Sequence, residues 1–299
     1  MRRQMWIGAV VLVCALAAHV AAACEVGPQL QQISVNVLCG SSQGSGTIVL
    51  TEVEGKPSTW VLTAAHVVAG HRRVKDIVGS DGEERKQITY KDAQIIQEQV
   101  AGGRVVGELK YDAKVVNVDR QRDIALLRVR IDKFTDSGAT FYLDDDIPQA
   151  GTPLFHCGAP GGKEVGGTCS LTTGIVSRIG VRIPEFGGSE HGVFDQTDAA
   201  ALPGSSGGLV ALRDDGRWIG MITLGIQGGD SFHWIVPIRS VRQWAKELHL
   251  EWLLDPKAPR PTQADIDKIP LEMDRAGFAS DIKPAAEPVT VTHSVAPGE

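Results

Sequence analysis

The sequence predicts an all-β protein. Short runs that alternate apolar and polar residues recur from Gln31 to Leu224. Turn residues separate them, and a helical period appears only after Pro237. Many short strands at close spacing indicate a barrel or a sandwich.

The first run, Ile33–Leu38, has the pattern of a half-buried strand. Gly44-Ser-Gly46 reads as a turn and Thr47–Leu50 as the second strand. Glu54–Ser58 reads as a hairpin connection into Thr59–Thr63, and Ala64-Ala-His66-Val-Val68 follows directly. Residues 70–110 are polar and uneven, and Lys91–Val100 fits a short helix or a long hairpin equally well. Val115–Val118 resumes the strand pattern. Asp123–Val129 gives a buried strand with Asp123 at its mouth.

Residues 132–150 carry charges, Gly138 and Pro148, and read as a crossing between two halves. In the second half, Pro153–Cys157, Thr168–Val176, His191–Gln196, Gly208–Leu212 and Trp218–Leu224 are again short runs. Val241, Trp244, Ala245 and Leu248 then recur at helical spacing, with Ser240 as the expected cap. This helix is expected to pack on the second half. The expected division is a signal segment over 1–23, a first half over 24–140, a second half over 141–250 and a mostly disordered tail over 251–299. The tail reading rests on Pro, Ala and charge without a sustained apolar period.

Composition narrows the function. Of 299 residues, 42% are hydrophobic and 22% charged, as in a soluble globular protein. A formal net charge of −6 gives no reason to expect a nucleic-acid partner. Arg2 and Arg3 precede an apolar run from Trp6 to Ala18, and Ala21–Ala23 supply small residues for cleavage before Cys24. That is the pattern of an export signal. The expected location is a periplasm or the exterior. Cys14 leaves with the signal, and Cys24, Cys39, Cys157 and Cys169 remain. An even count in an exported chain suggests two disulfides, with Cys24–Cys39 and Cys157–Cys169 as the simplest pairing. Cys24 has a rival role as a lipid attachment site, the one route by which a membrane becomes a partner.

Gly204-Ser-Ser206-Gly-Gly208 is the stretch that suggests chemistry. Glycines on both sides permit a tight turn that exposes Ser206 and aims backbone N–H groups at one point. The same pattern marks the nucleophile elbow of α/β-hydrolases, and it also occurs as a plain surface turn. A serine alcohol needs a base, and the base needs an acceptor that fixes its tautomer. His66 ends the hydrophobic run Leu62-Thr-Ala-Ala-His66, where a solvated histidine would not normally sit. Asp123 places a carboxylate at the edge of an apolar element.

Thr63-Ala-Ala-His66, Asp123-Ile-Ala-Leu126 and Gly204–Gly208 fall in the order His, Asp, Ser. In that order they resemble chymotrypsin-like serine proteases. The chain is most similar to the HtrA/DegP-type and related bacterial trypsin-like endopeptidases. Gly44–Val49 resembles their strand before the histidine, Gly158–Gly162 with Thr173–Ser177 their second-barrel opening, and Thr197–Gly208 their nucleophile loop. The resemblance runs from about Gly44 to Leu248. It implies two six-stranded antiparallel β-barrels with a C-terminal helix, the first barrel carrying His66 and Asp123 and the second Ser206. It implies Ser206 as nucleophile, His66 as base then acid, Asp123 as orienting carboxylate, and the N–H groups of Gly204 and Ser206 as the oxyanion hole. Neither a cofactor nor a metal is expected, and the expected partner is a protein or peptide substrate.

Some residues depart from the pattern. The segment from His66 to Asp123 is longer than in compact relatives, so 70–110 is expected to form an extra flap. Ser205 stands where digestive proteases carry an aspartate that pairs with a new N-terminus. The tail is too short and polar for a PDZ-like domain. By the same resemblance, Ala200 lies at the base of the specificity pocket, with Leu202, Thr223, Leu224, Gly225 and the strand Phe232–Ile235 as walls. His233 is either a polar contact there or a plain strand histidine. With no carboxylate at the base, the expected cleavage is after small or medium aliphatic residues. An α/β-hydrolase esterase remains an alternative, with Asp230 and His249 nominally available, although Gly207–Ala211 reads as strand where that fold needs a helix. A protease-fold binding protein without turnover is the other.

Overall fold

The alternating runs fold into two closed barrels. In the computed structural model, residues 26–78, 82–102, 104–161, 169–182, 192–225 and 232–273 are described. The signal segment, Cys24, Asp230 and the end of the tail lie outside them. In the first barrel, β1 (Ser34–Cys39), β2 (Ser42–Val53) and β3 (Lys56–Thr63) form consecutive hairpins. β3 pairs with β8 (Ile124–Val129), β8 with β7 (Arg104–Asp119), β7 with β6 (Ala93–Ala101), and β6 closes onto β1. The segment that fits helix or hairpin from sequence is therefore strand.

The second barrel repeats the count. β9 (Pro153–Gly158), β10 (Ser170–Arg182), β11 (Val193–Thr197), β12 (Leu209–Leu212), β13 (Trp218–Gly225) and β14 (His233–Pro237) close in the order β10-β11-β14-β13-β12-β9. Closure leaves neither barrel with a free sheet edge. Residues 130–152 cross between them. Ala139 N–H donates to Ile48 O on one side, and Trp218 N–H donates to Thr140 O on the other.

Residues 70–110 add more than a loop. β4 (Arg72–Val78) and β5 (Glu84–Tyr90) form a separate two-stranded sheet that leaves the first barrel just after His66. Its two strands are exposed along most of their length.

The C-terminal part differs from the sequence reading in three ways. The helix Ile238–Glu247 starts after Pro237, and Ser240, inside its first turn, donates to Val193 O instead of capping. The helix also touches both barrels, because Trp244 Nε1 donates to Asn117 Oδ1 of β7 (3.0 Å). Residues 251–273 are not a disordered tail. They carry helical turns at Glu251–Leu254 and Gln263–Asp267 and strap across the first barrel. Trp252 packs edge-on against Trp60 with ring centroids 5.2 Å apart. Val118 exchanges backbone bonds with Leu271 and Met273, and Glu272 accepts from Arg72 and Tyr90. A strap needs only scattered apolar anchors, so no period shows in its sequence.

Candidate active site

His66 owes its place to the end of β3. Ala64 is still extended, and one helical turn, Ala65–Val68, then buries Val67 and Val68 and turns His66 outward. Asp123 owes its place to Asp119. The Asp119 carboxylate accepts the N–H groups of Gln121 (3.0 Å) and Arg122 (3.1 Å), a side-chain-built turn that ends β7. Asp123 follows at φ +57°, in the left-handed region that Asp tolerates better than most residues.

These two turns bring the side chains together. Asp123, 1% exposed, accepts His66 Nδ1–H at 2.8 Å through Oδ2 and the His66 backbone N–H at 2.9 Å through Oδ1. The hydroxyl of Thr223 donates to Oδ2 as well. Burial pulls the His66 imidazole pKa down. The charge and hydrogen bond of Asp123 more than reverse this and leave it above the ordinary histidine value. The Nδ1–H is thereby committed to Asp123, which leaves Nε2 as the basic nitrogen.

Ser206 lies on the second barrel, in the turn between Pro203 and Leu209. Its hydroxyl donates to Thr223 O (3.0 Å) and not to His66. Gly204 (φ +99°) and Gly207 (φ +82°) take conformations that L side chains rarely adopt. A Cβ on Gly207 would lie 2.2 Å from Ser45 O. Among the described residues, the N–H groups of Gly204 and Ser206 have no acceptor, whereas those of Ser205, Gly207 and Gly208 are all bonded. Two amides in one turn are thus free for a ligand oxygen. Ser205 is buried, with its hydroxyl toward Leu202 N–H (3.3 Å), and so faces away from the open side.

The expected pocket residues are placed in part. The Ala200 carbonyl accepts from Thr172 Oγ1, and Asp198 Oδ1 accepts Ile175 N–H (2.7 Å) and is held there. Leu202 is 65% exposed. His233 lies opposite Gly225 in the β13–β14 ladder. Its ring occupies the space a Gly225 side chain would need, and its buried Nδ1 has no partner among the described residues. The loop joining β13 to β14 lies mostly outside the described residues.

The Cys157–Cys169 pairing needs correction, whereas Cys24–Cys39 involves a residue outside the described ones. Cys39, Cys157 and Cys169 are buried free thiols. In the β9–β10 ladder Cys157 faces Leu171, so Cys169 is its diagonal neighbour. Diagonal positions lie ~7–8 Å apart, beyond the usual reach of a disulfide. Burial pushes the Cys39 and Cys157 thiols up to about 12 and the Cys169 thiol well above its ordinary value. They behave as small apolar groups.

Sequence reasoning placed Thr223 only in a pocket wall. Its hydroxyl holds Asp123 and its carbonyl holds Ser206, so it joins the two barrels at the site. Nothing in a strand threonine announces that; only the pairing of the barrels does.

The trypsin-like peptidase domain model matches residues 44–221, a span that contains His66, Asp123 and Ser206. Putative protease Do-like 14 of Arabidopsis thaliana is 30% identical over 233 residues, 74% of this chain and 45% of that protein. Serine protease Do-like HtrA of Bacillus subtilis (strain 168) is 28% identical over 234 residues, 77% of this chain and 44% of that one. The chain thus spans less than half the length of these relatives. Among solved structures, the HtrA-type protease AlgW with tripeptide superposes with a TM-score of 0.55 at 23% identity, over 77% of this chain and 64% of that one. Deg5 gives 0.53 at 20% identity, over 75% and 91%. These two show the fold alone. With the matched family model covering more than half its length, the chain belongs to the trypsin-like peptidase domain family and is an HtrA-like, trypsin-fold serine protease homologue.

Proposed function

We propose that the chain is an exported serine endopeptidase with His66, Asp123 and Ser206 as its catalytic residues. The observation that carries this reading is the joint arrangement of a histidine fixed by a buried aspartate and two free amides beside Ser206. In the reaction, Ser206 Oγ leaves the Thr223 carbonyl and attacks the peptide carbonyl carbon as His66 Nε2 takes its proton. The Gly204 and Ser206 N–H groups receive the negative oxygen. His66 then gives the proton to the leaving amine, and a water attacks the acyl-enzyme by the same steps in reverse. Asp123 stabilises the imidazolium without itself taking the proton.

Cleavage after small or medium aliphatic residues such as Val, Ala or Leu follows from Ala200. A buried cation at the pocket base would find no carboxylate there, because Asp198 is engaged with Ile175 N–H. Export is supported by the basic and apolar N-terminal pattern ahead of Cys24.

The test is to map new N-termini in a denatured protein mixture, with Ser206→Ala and Ser205→Ala in parallel. Wild type and Ser205→Ala should cut after aliphatic residues, and Ser206→Ala should not cut. A profile dominated by Lys/Arg or by Glu overturns the pocket assignment. An inert Ser205→Ala with an active Ser206→Ala overturns the nucleophile. A wild type that cuts nothing leaves a protease fold used for binding.

A further inference from the structure

The turn that offers the two free amides does not hold its own shape. Peptide groups are planar and trans, so fixing a carbonyl also aims the N–H on the next residue the opposite way. Pro203 O accepts Gly161 N–H (2.8 Å), which aims the Gly204 N–H. Ser205 O accepts Gly208 N–H (2.8 Å), which aims the Ser206 N–H. The two peptides that follow these donors, Gly204–Ser205 and Ser206–Gly207, are gripped from the other barrel by one residue. Ser45 Oγ donates to Gly204 O (2.7 Å), and Ser45 N–H donates to Ser206 O (2.7 Å).

We infer that Ser45 is a positioning residue for the oxyanion hole, acting through its hydroxyl on the Gly204 peptide. The inference rests on the catalytic reading of Ser206 given above. Ser45 Oγ also accepts Ala159 N–H (2.8 Å). A hydroxyl has one proton, so the acceptor role toward Ala159 leaves that proton committed to Gly204 O. One side chain therefore ties the turn to the 159–161 segment that carries the Gly161 donor. The anchor itself is closely packed. Ser45 is fully buried, Thr63 Oγ1 donates to its carbonyl (2.6 Å), and a Cβ on the preceding Gly44 would lie 2.8 Å from Ser206 O. The turn has little slack on the opposite side, since a Cβ on Gly204 would lie 2.6 Å from Ala159 O. Strand β2 of the first barrel is thus a template for the turn on the second.

Removing the hydroxyl leaves the Gly204 carbonyl and the Ala159 N–H without partners in a buried place. The Gly204–Ser205 peptide, whose own N–H is bonded to Leu202 O, joins the two donor peptides, so its release lets the Gly204 and Ser206 N–H groups on either side drift from their aim. Oxyanion donors act mainly on the transition state, so the loss should fall on kcat and spare ground-state binding. The test uses the peptide that wild type cleaves fastest in the profile above, and a boronic acid built on the same peptide. Ser45→Ala should lower kcat by about 10- to 100-fold, less than deletion of a donor itself, with KM within about threefold. Boronate affinity should fall in step with kcat. Affinity for the uncleaved peptide should be equal in Ser206→Ala and in the Ser206→Ala, Ser45→Ala double variant. Ser45→Cys keeps the side-chain shape with a weaker hydrogen bond. It should show the same boronate correlation at a smaller loss, and it serves if Ser45→Ala folds poorly.

A Ser45→Ala enzyme within twofold of wild type in kcat overturns the inference. So does a loss shared equally by boronate and uncleaved peptide, which marks a merely structural role. A wild type with no turnover is a different failure: it overturns the catalytic reading, and this inference with it.

Discussion

Asp123 sits at a backbone conformation that few residues accept, at the point where a charge is buried. Three donors meet its carboxylate: the His66 imidazole, the His66 backbone N–H and the Thr223 hydroxyl. Such an acceptor holds one tautomer of His66 and raises its pKa against the opposing effect of burial. Two pH dependences follow with opposite signs. As the proposed general base, His66 must be neutral to act, so kcat/KM should rise with pH, with its midpoint above the ordinary histidine value of about 6.5. The stabilising contact between protonated His66 and Asp123 is complete below that ordinary value and is lost as pH rises through the raised one. Fold stability should therefore decline slightly across the window in which activity appears. Asp123→Asn keeps the shape but removes the charge and favours the wrong tautomer. Its pH–rate midpoint should move down, and kcat at the plateau should fall by about three to four orders of magnitude. A pH–rate profile of both proteins checks this; an unmoved midpoint would mean that Asp123 does not set the His66 pKa.

The strap from Glu251 to Met273 shows how packing recruits a segment whose sequence looks unstructured. Trp252, Leu253, Leu254 and Ile266 are buried, and Trp252 covers the edge of Trp60 on β3, the strand that leads into His66. At the far end, Glu272 clamps Arg72 of β4 and Tyr90 of β5, so the strap also holds the base of the added hairpin. Trp252→Ala should destabilise the protein by about 3–5 kcal/mol, the range for losing a buried aromatic ring. Urea denaturation of full-length wild type and variant reads this directly, and a change within 0.5 kcal/mol or so, as for a surface residue, would return the strap to the status of a loose tail. The comparison also shows what the sequence could carry. Barrel strands were legible because one face is buried and the other less so, which writes a period of two. His66 and Asp123 stood out as candidates at the ends of apolar runs and Ser206 in a glycine-rich turn, and their order along the chain carried the family resemblance. Thr223, Ser45 and the strap were not legible, because their roles arise from contacts with residues tens to hundreds of positions away, and no local pattern records them.

Neither barrel holds the site alone. His66, Asp123 and Ser45 come from the first, Ser206, Gly204 and Thr223 from the second, and the helix Ile238–Glu247 reaches back from the second to the turn before Asp123. There the Arg122 guanidinium, 1% exposed, donates to Asp119 Oδ2 (2.8 Å) and to both Glu247 oxygens (3.0 and 2.7 Å). Asp119 is fully buried and builds the turn that delivers Asp123. Arg122 thus links the C-terminal helix to the turn before Asp123. A buried ion pair is weak grounds for extra stability, but breaking one strands a charge. Arg122→Ala leaves the Asp119 carboxylate buried without its cation and should cost about 3–5 kcal/mol. Glu247→Gln leaves Arg122 and Asp119 paired, and its partly exposed amide still accepts a hydrogen bond, so its cost should be nearer 1 kcal/mol. Both changes should lower kcat more than KM at a temperature where each variant is fully folded, since both loosen Asp123 and not the substrate cleft. Denaturation curves give the stability order and single-substrate kinetics give the split. If Glu247→Gln proves as costly as Arg122→Ala, the helix contact outweighs the Asp119 pair; if neither changes kcat, Asp123 keeps its position without the helix contact.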